Sequence, residues 1–234
     1  MRLILLSDLH GELPKDVPEC DTVVISGDIC PNYNVSVEEK EVNLQKQWLY
    51  HVFLPWAMCL PCKNVVFTWG NHDIVGESQE GLLNFSLSMT IDKCGVRVKN
   101  VVLLNDSSME LDGIKFYGSP WSITYKGKWA FNATDEQLEK VWDKIPLDTD
   151  VLLVHSPIYS IGDLTLNTGE NVGSKTLLKR VKEVNPKLVV FGHIHEGRGI
   201  YKLRNTVVAN ASHLDASYIA RKDFLVWDLK WPVL

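Results

Sequence analysis

Five short strings along the chain carry side chains of the kinds that bind divalent metal ions. In chain order they are Asp8-Leu9-His10, Gly27-Asp28, Gly70-Asn71-His72-Asp73, the single residue His155, and Gly192-His193-Ile194-His195. The strings contain five of the seven histidines of the chain, and the other two are His51 and His213. Carboxylate, imidazole and amide groups without thiolates favour Mn, Fe or Zn in a reactive centre over a structural zinc site.

Each string alone is a weak indication, because Asp, Asn and Gly are also ordinary turn residues. In Asp8-Leu9-His10 and His193-Ile194-His195, alternate residues of an extended segment point to the same side and can reach one ion. The carboxylate of Asp28 has two oxygens and can bridge two ions, and Asn71 offers a neutral oxygen. His155 ends an apolar run, where a hydrogen-bonded structural histidine is the alternative interpretation.

All five strings follow runs of aliphatic and β-branched residues, which predicts that each lies at the end of a β-strand. The predicted strands are 2–7, 22–26, 64–69, 101–104, 108–111, 114–118, 150–154, 187–191, 199–203, 206–210 and 224–229, and the predicted helices are 36–60, 80–93, 134–144 and 173–184. Ser36 with Glu39, and Thr134 with Gln137, form capping-box patterns at two helix starts. Since ligands bind at the carboxyl ends of strands in such sheets, we expect the strings to assemble one site there.

The pattern of strands also predicts the fold class. Continuous apolar runs such as Val151-Leu152-Leu153-Val154 suit strands that are covered on both faces. Closely spaced strand pairs near 100–118 and 199–229 favour antiparallel hairpins. We therefore predict an α/β fold, a two-sheet α/β sandwich flanked by helices. The 234 residues show no internal repeat or linker, which predicts a single domain over 1–234.

Composition limits the classes of partner. The net charge of −5, without a basic run, gives no strong nucleic-acid signature. Asp8 and His10 interrupt the first apolar run too early for a signal peptide or a spanning helix, so we expect a cytoplasmic protein without a membrane segment. The five cysteines suit reduced thiols, and Cys59-Leu60-Pro61-Cys62 is interpreted as two ordinary thiols because no second cysteine pair follows. Nothing in the sequence indicates the oligomeric state.

The ordered set Asp-x-His, Gly-Asp, Gly-Asn-His-Asp, His and Gly-His-x-His resembles the calcineurin-like metallophosphoesterase superfamily over residues 8 to 195. The second half is similar to the brain-type, metallophosphoesterase-domain-containing subgroup. That likeness lies in Tyr117-Gly118-Ser119-Pro120-Trp121, Trp129-Ala130-Phe131-Asn132, residues 186–197 and Asn210-Ala211-Ser212. The resemblance implies a metal-dependent phosphoric ester hydrolase with two divalent metal ions, with Mn²⁺ as the first choice and Fe, Zn or Mg as alternatives.

The same resemblance implies a role for each string. Asp8, His10, Asp28 and His195 would hold the first ion, and Asp28, Asn71, His155 and His193 would hold the second. A water between the ions would lose a proton and attack phosphorus in line. His72 would act as the general acid for the leaving group, and Asp73 would orient the imidazole or cap its own turn. Some subgroup members carry Gly in place of His193, so the histidine kept here favours an active site.

The resemblance and the lack of a basic surface favour a small phosphoester or nucleotide substrate, with phosphodiesters, cyclic nucleotides among them, preferred over monoesters. Gly27-Asp28 lacks the Asp-Arg-Gly continuation typical of protein serine/threonine phosphatases. The candidate substrate-binding residues are Trp121, Phe131, Asn132 and His213, with core packing as the alternative for the aromatic ones. Two other functions stay open at this point, a nucleic-acid phosphodiesterase and a catalytically silent scaffold. The loops 122–132 and 157–172 are predicted to form the rims of the site.

Overall fold

Two six-stranded mixed sheets pack face to face, with helices on their outer faces, in a computed structural model of the chain. The structure describes residues 1–33, 35–36, 38–78, 86–89, 99–124 and 127–229. This arrangement confirms the predicted α/β sandwich with flanking helices.

The elements follow in chain order. The strands are β1 (Arg2–Leu6), β2 (Thr22–Ser26), β3 (Asn64–Thr68), β4 (Ser86–Met89), β5 (Lys99–Leu103), β6 (Ser107–Leu111), β7 (Ile114–Ser119), β8 (Ser122–Ile123), β9 (Asn132–Ala133), β10 (Val151–Val154), β11 (Leu188–Phe191), β12 (Gly199–Leu203), β13 (Thr206–Asn210) and β14 (Leu225–Asp228). The α-helices are α1 (Glu38–Trp48), α2 (Leu54–Cys59), α3 (Asp135–Trp142) and α4 (Lys175–Val184). A π-helical turn at Leu49–Phe53 joins α1 to α2, and 3₁₀ turns lie at Ile74–Glu77, after β3, and at His195–Gly197, between β11 and β12.

The two sheets share one plan. The first has the strand order β14-β1-β2-β3-β5-β4, and the second has the order β12-β13-β11-β10-β7-β6. In each sheet the four inner strands are parallel to one another, and an antiparallel strand pairs at either edge. Parallel inner strands direct their carboxyl ends to one edge of their sheet, which is where the loops of the site begin.

Strand β1 shows why these runs are continuously apolar. Leu3 and Leu5 lie in the core between the two sheets, whereas Ile4 and Leu6 lie in the core beneath the first helical layer. Successive side chains of a strand point to opposite faces, so a strand that is covered on both sides needs apolar residues at every position. The second sheet repeats the pattern, and its outer face packs on α3 and α4.

The predicted helix over 36–60 is divided by the π-helical turn, which ends two residues before Pro55. Proline lacks the amide hydrogen that a regular α-helix uses, and the wider turn occurs immediately before it. The capping box predicted for α3 is confirmed, since Thr134 and Gln137 exchange both hydrogen bonds. The last helix begins at an N-cap serine, Ser174, and ends at Asn185 in the left-handed conformation.

Two predictions of secondary structure were wrong. The segment predicted as a helix over 80–93 contains strand β4, and the rest of that prediction lies outside the described residues. Its alternation of serine with Leu87 and Met89 has the period of a strand, which the helical interpretation overlooked. Strand β5 pairs in parallel with β3 instead of forming a hairpin with β6. The hairpins β6–β7 and β12–β13 are antiparallel as predicted.

Within the part of the chain that the structure describes, no helix has the length and apolar character needed to cross a bilayer.

Candidate metal centre

The five strings come together at the carboxyl ends of five parallel strands. The loop after β1 carries Asp8 and His10, and backbone hydrogen bonds join it to the loop after β2, from Asp8 N to Gly27 O at 3.0 Å and from His10 N to Asp28 O at 2.9 Å. The loop after β3 carries Asn71. The loops after β10 and β11 supply His155, His193 and His195 from the second sheet.

One group of donors contains Asp8, His10 and His195. His195 Nε2 lies 3.4 Å from Asp8 Oδ1, and His195 Nδ1 donates to the carbonyl of Asp215 at 3.0 Å. That bond places the proton on Nδ1 and leaves the Nε2 lone pair for a cation. The side chain of His10 is only 4% exposed, and neither of its ring nitrogens has a hydrogen-bond partner among the described residues. A buried imidazole without a partner is costly, and a bound cation would provide that partner.

The other group contains Asp28, His155 and His193, with Asn71 between them. Asn71 Oδ1 lies 2.9 Å from His155 Nε2 and 2.8 Å from His193 Nδ1. His155 Nδ1 donates to Ser26 O at 2.9 Å, so in the neutral ring Nε2 is an acceptor that faces the amide oxygen. In that form His155 Nε2 and Asn71 Oδ1 could both bind one cation. These donors therefore fit a divalent ion.

Asp28 belongs to the second group and lies next to the first. Its Oδ2 lies 3.3 Å from His155 Nε2 and 3.7 Å from His10 Nε2, whereas its Oδ1 accepts from the backbone of His72 at 2.8 Å. The carboxylate is thus fixed at one oxygen and faces both groups with the other. The bridging role that the sequence resemblance implies for Asp28 stays a prediction.

The buried carboxylates of the centre favour additional positive charge beside them. Burial would raise the pKa of Asp8, but the hydrogen bond and charge of His195 outweigh it and hold that pKa well below its usual range. Burial would lower the pKa of His155 and of His195, yet the carboxylates of Asp28 and Asp8 respectively raise both values to about 9. The two buried carboxylates thus favour positive charge on the groups beside them. Divalent cations would supply the same counter-charge directly.

The backbone of the centre is strained where the ligands lie. Asp8, His10, Asp28 and His193 have φ values of 53°, 43°, 52° and 69°. Residues other than glycine adopt this left-handed region at an energetic cost, and such residues cluster at functional sites. Gly192 allows the loop after β11 to lie close to Asp8, because a Cβ atom at this position would collide with Asp8 Oδ2.

His72 and Asp73 have different surroundings. His72 Nδ1 donates to Asn32 Oδ1 at 2.7 Å, which leaves Nε2 for a substrate at the edge of the centre. Asp73 is buried and accepts from the backbone amides of Cys30 and Gly70, both at 2.8 Å. Of the two interpretations of Asp73, these contacts favour the turn cap over a role on the imidazole. A catalytic role of Asp73 stays a prediction.

A cavity of about 680 Å³ lies over both donor groups. It is lined by residues of the two predicted rims, among them Ile123, Thr124, Thr165, Thr168 and Glu170, and by Trp129 and Tyr218. The described residues that line it include two glutamates, Glu170 and Glu196, and neither lysine nor arginine. The cavity therefore has room for more than a phosphate group but adds no cationic side chain of its own.

The four predicted substrate-binding residues do not line this cavity. Trp121 packs edge to face on Phe131 with 5.9 Å between ring centroids, and its Nε1 donates to Asp106 at 3.2 Å. Phe131 is buried in the core, and buried His213 stacks on Phe224. Asn132 donates to Ser122 Oγ and borders a neighbouring cavity. Trp121, Phe131 and His213 thus lie in packing contacts outside this cavity and Asn132 lies at its neighbour, and a role of these four residues in substrate binding stays a prediction.

Sequence reasoning missed four residues of the centre. Asn32 orients His72, Asp215 orients His195, and Trp129 and Tyr218 stand at the cavity wall. Asn32 and Asp215 lie far along the chain from the rings that they contact, and no motif marks either of them. Trp129 adjoins Phe131 in a stretch that carried the family likeness, and that stretch was the available signal. Exposed Cys59 and buried Cys62 belong to neither group of metal donors.

Comparison with known proteins settles the family. A family model described as calcineurin-like phosphoesterase matches residues 1–197. The chain belongs to this family. Membership implies a metal-dependent phosphoester hydrolase, which agrees with the two groups of donors.

Relatives extend the match over nearly the whole chain. The human "Metallophosphoesterase domain-containing protein 1" is 30% identical over 248 residues, which cover 99% of this chain and 72% of that protein. The "Uncharacterized protein MJ1162" of Methanocaldococcus jannaschii is 29% identical and matches 98% of this chain and 93% of its own length. Among solved structures, TT1561 of Thermus thermophilus is 12% identical with a TM-score of 0.50, covering 97% of this chain and 98% of that chain. The likeness to TT1561 supports the fold alone.

Proposed function

We propose that this protein is a dinuclear metal-dependent phosphodiesterase that acts on a small diester or nucleotide, with Mn²⁺ as its metal. The observation that carries the proposal is the pair of neighbouring donor groups beneath one cavity, with Asp28 facing both of them and His72 at the edge of that cavity. Two divalent ions bound there would polarise the phosphoryl oxygens and lower the pKa of a water.

The residues of the chain position the metal donors and transfer a proton to the leaving group. The side chains of Asp28, His155 and His195 are held by hydrogen bonds to the backbone, so these donors are set before substrate binds. During hydrolysis the water oxygen forms a bond to phosphorus and the bond from phosphorus to the leaving oxygen breaks. His72 gives its proton to that oxygen, the attacking water loses a proton to solvent, and His72 is then reprotonated.

The preference for a diester over a monoester rests on charge. A phosphomonoester carries up to two negative charges near neutral pH, whereas a diester carries one. Because the described lining contains neither lysine nor arginine, it offers little compensation for the second charge. Glu170 and Glu196 in the lining, and the net charge of −5, also disfavour a long polyanion such as a nucleic acid.

The test is hydrolysis of bis-p-nitrophenyl phosphate by metal-stripped protein, before and after addition of Mn²⁺, Fe²⁺, Zn²⁺ or Mg²⁺. We expect turnover only with metal, greatest with Mn²⁺, and strongly reduced by Asn71→Ala. Asn205→Ala, in the exposed β12–β13 turn, is the matched control and should retain full activity. The proposal fails if protein with two bound ions hydrolyses no diester, or if p-nitrophenyl phosphate is the better substrate.

A further inference from the structure

The cavity contains an ordered row of rings. His72 and His10 lie 4.8 Å apart between centroids, and His10 and His195 lie 5.3 Å apart. Trp129 adjoins the His72 end of the row, with 4.2 Å between centroids. Tyr218 adjoins the other end, 5.1 Å from His10 and 5.0 Å from His195. The two aromatic side chains therefore flank the metal donors from opposite sides.

Trp129 is held beside His72 by the loop that carries the metal ligand Asn71. The backbone amide of Ala130 donates to Asn71 O at 3.1 Å, and that of Phe131 donates to Glu77 Oε1 at 2.5 Å. Phe131 has a φ of 49°, which turns the chain sharply after Trp129. The indole is 37% exposed, so part of its surface faces the cavity.

Tyr218 is held by the same turn that orients His195. Asp215 accepts from Tyr218 N at 2.9 Å through its carbonyl, and its carboxylate accepts from Ser217 N and Ile219 N at 2.8 and 2.9 Å. The φ of Tyr218 is 61°, an unfavourable value for a tyrosine that this turn imposes. Its ring thereby lies over the donor group of Asp8, His10 and His195.

The two sides of the cavity differ in depth. Trp129 also borders a second cavity of about 610 Å³, together with Asn32, Glu77, Lys128 and Asn132. Tyr218 is not among the described residues that line this second cavity. A group on the Trp129 side thus has further room beyond the indole.

We propose that Trp129 and Tyr218 are the residues that determine which diesters are accepted, Trp129 by contacting the leaving alcohol and Tyr218 by contacting the group that stays on phosphorus. The assignment rests on the proposed diesterase function. The leaving oxygen must lie within reach of His72, and the aromatic ring next to His72 is Trp129. The retained group then extends toward Tyr218. Flat rings favour planar substituents, so the substrate class is a diester of aryl or nucleoside groups.

The experiment compares two Mn²⁺-loaded reactions that release the same p-nitrophenolate, bis-p-nitrophenyl phosphate with a retained aryl group and methyl p-nitrophenyl phosphate with a retained methyl group. For Tyr218→Ala, we expect the ratio of kcat/KM for the first substrate over the second to fall about tenfold, the effect of one lost stacking contact. For Trp129→Ala, we expect kcat/KM to fall about tenfold for both substrates, mainly through KM, with their ratio unchanged.

Three controls separate recognition from folding. Tyr218→Phe and Trp129→Phe should keep the wild-type kcat/KM values for both substrates, because each variant keeps a flat ring. Tyr50→Ala, at a half-exposed tyrosine of the π-helical turn, should change neither rate. The metal content of every variant should equal that of the wild type.

Every other result overturns either the assignment of Trp129 and Tyr218 or the proposed function. An unchanged ratio in Tyr218→Ala, or a ratio altered in Trp129→Ala, overturns the assignment while the diesterase function stands. Loss of metal from either alanine variant would make its role structural and also overturn the assignment. Failure of the wild type with two bound ions to hydrolyse either substrate overturns the proposed function, and the assignment with it.

Discussion

The two sheets contribute different chemistry to the candidate metal centre. The loops of the first sheet supply both carboxylates, Asp8 and Asp28, and the amide of Asn71, together with His10. The loops of the second sheet supply imidazoles alone, from His155, His193 and His195. One half of the sandwich therefore provides the negative charge, and the other provides neutral or cationic nitrogen donors.

This difference explains why neither sheet alone is sufficient to form the metal centre. Each donor group crosses the boundary between the sheets, since Asp8 pairs with His195 and Asp28 pairs with His155. The first sheet alone would hold two buried carboxylates without compensation, and the second alone would lack the charge that attracts divalent ions. An ion bound in either group would join the two sheets.

The largest expected effect follows from removing the shared charge of the first sheet. Asp28→Asn keeps the shape of the side chain but removes the carboxylate that faces both donor groups. We expect kcat/KM for bis-p-nitrophenyl phosphate to fall by about three orders of magnitude, with reduced metal content. Asp112→Asn, in the exposed β6–β7 turn, is the matched control. Activity within tenfold of the wild type in Asp28→Asn would show that the two groups do not depend on a common carboxylate.

A smaller loss should follow from removing one imidazole of the second sheet. His193→Gly leaves both carboxylates in place and removes one nitrogen beside Asn71. We expect bound manganese, measured by elemental analysis, to fall from two ions to one per chain and activity to fall about a hundredfold. The surface change His51→Gln serves as the control. Two retained ions would mean that the first sheet binds both without help from this imidazole.

A variant of Asn32 tests whether the loops of the first sheet also orient the general acid, in addition to binding metal. Asn32→Ala should lower kcat about tenfold, because His72 loses the acceptor that fixes its ring, while metal content stays the same. In a His72→Gln background the same change should have no further effect, since the ring that it orients is absent. Additive losses in the double variant would refute the positioning role.

The smallest effect is on stability. Because a bound ion would join the sheets, Mn²⁺ at a hundredfold excess over its Kd should stabilise the fold by about 2.7 kcal/mol. This corresponds to a rise in Tm of roughly 5–10 °C for a chain of this size. Thermal unfolding with and without Mn²⁺ measures it, and both Asp28→Asn and His193→Gly should reduce the rise. An equal rise in all three proteins would mean that the stabilising ion binds elsewhere.

The sequence predicted the features that depend on local pattern. Strands covered on both faces need uninterrupted apolar residues, so runs such as Val151 to Val154 were recognisable. The strings after these strands gave the donor residues, because strand direction alone brings their ends together. The capping box of Thr134 was equally local.

Features that depend on side-chain direction across loops were not predictable. Trp121 and Trp129 both lie in stretches that carry the family likeness. Trp121 nevertheless donates a hydrogen bond to Asp106, whereas Trp129 lines the cavity. Phe131, two residues after Trp129, has a positive φ of 49°, and no sequence motif indicates that conformation. Likewise, the contacts of Asn32 with His72 and of Asp215 with His195 depend on how distant loops pack.

The crossing of both donor groups between the sheets also fixes an order of events during biosynthesis. The two carboxylates leave the ribosome early, at Asp8 and Asp28, whereas His193 and His195 emerge more than 160 residues later. A nascent chain that stops before His193 lacks a donor from each group, and the turn at Asp215 that orients His195 is made later still. Neither donor group is therefore complete until most of the chain has been synthesised.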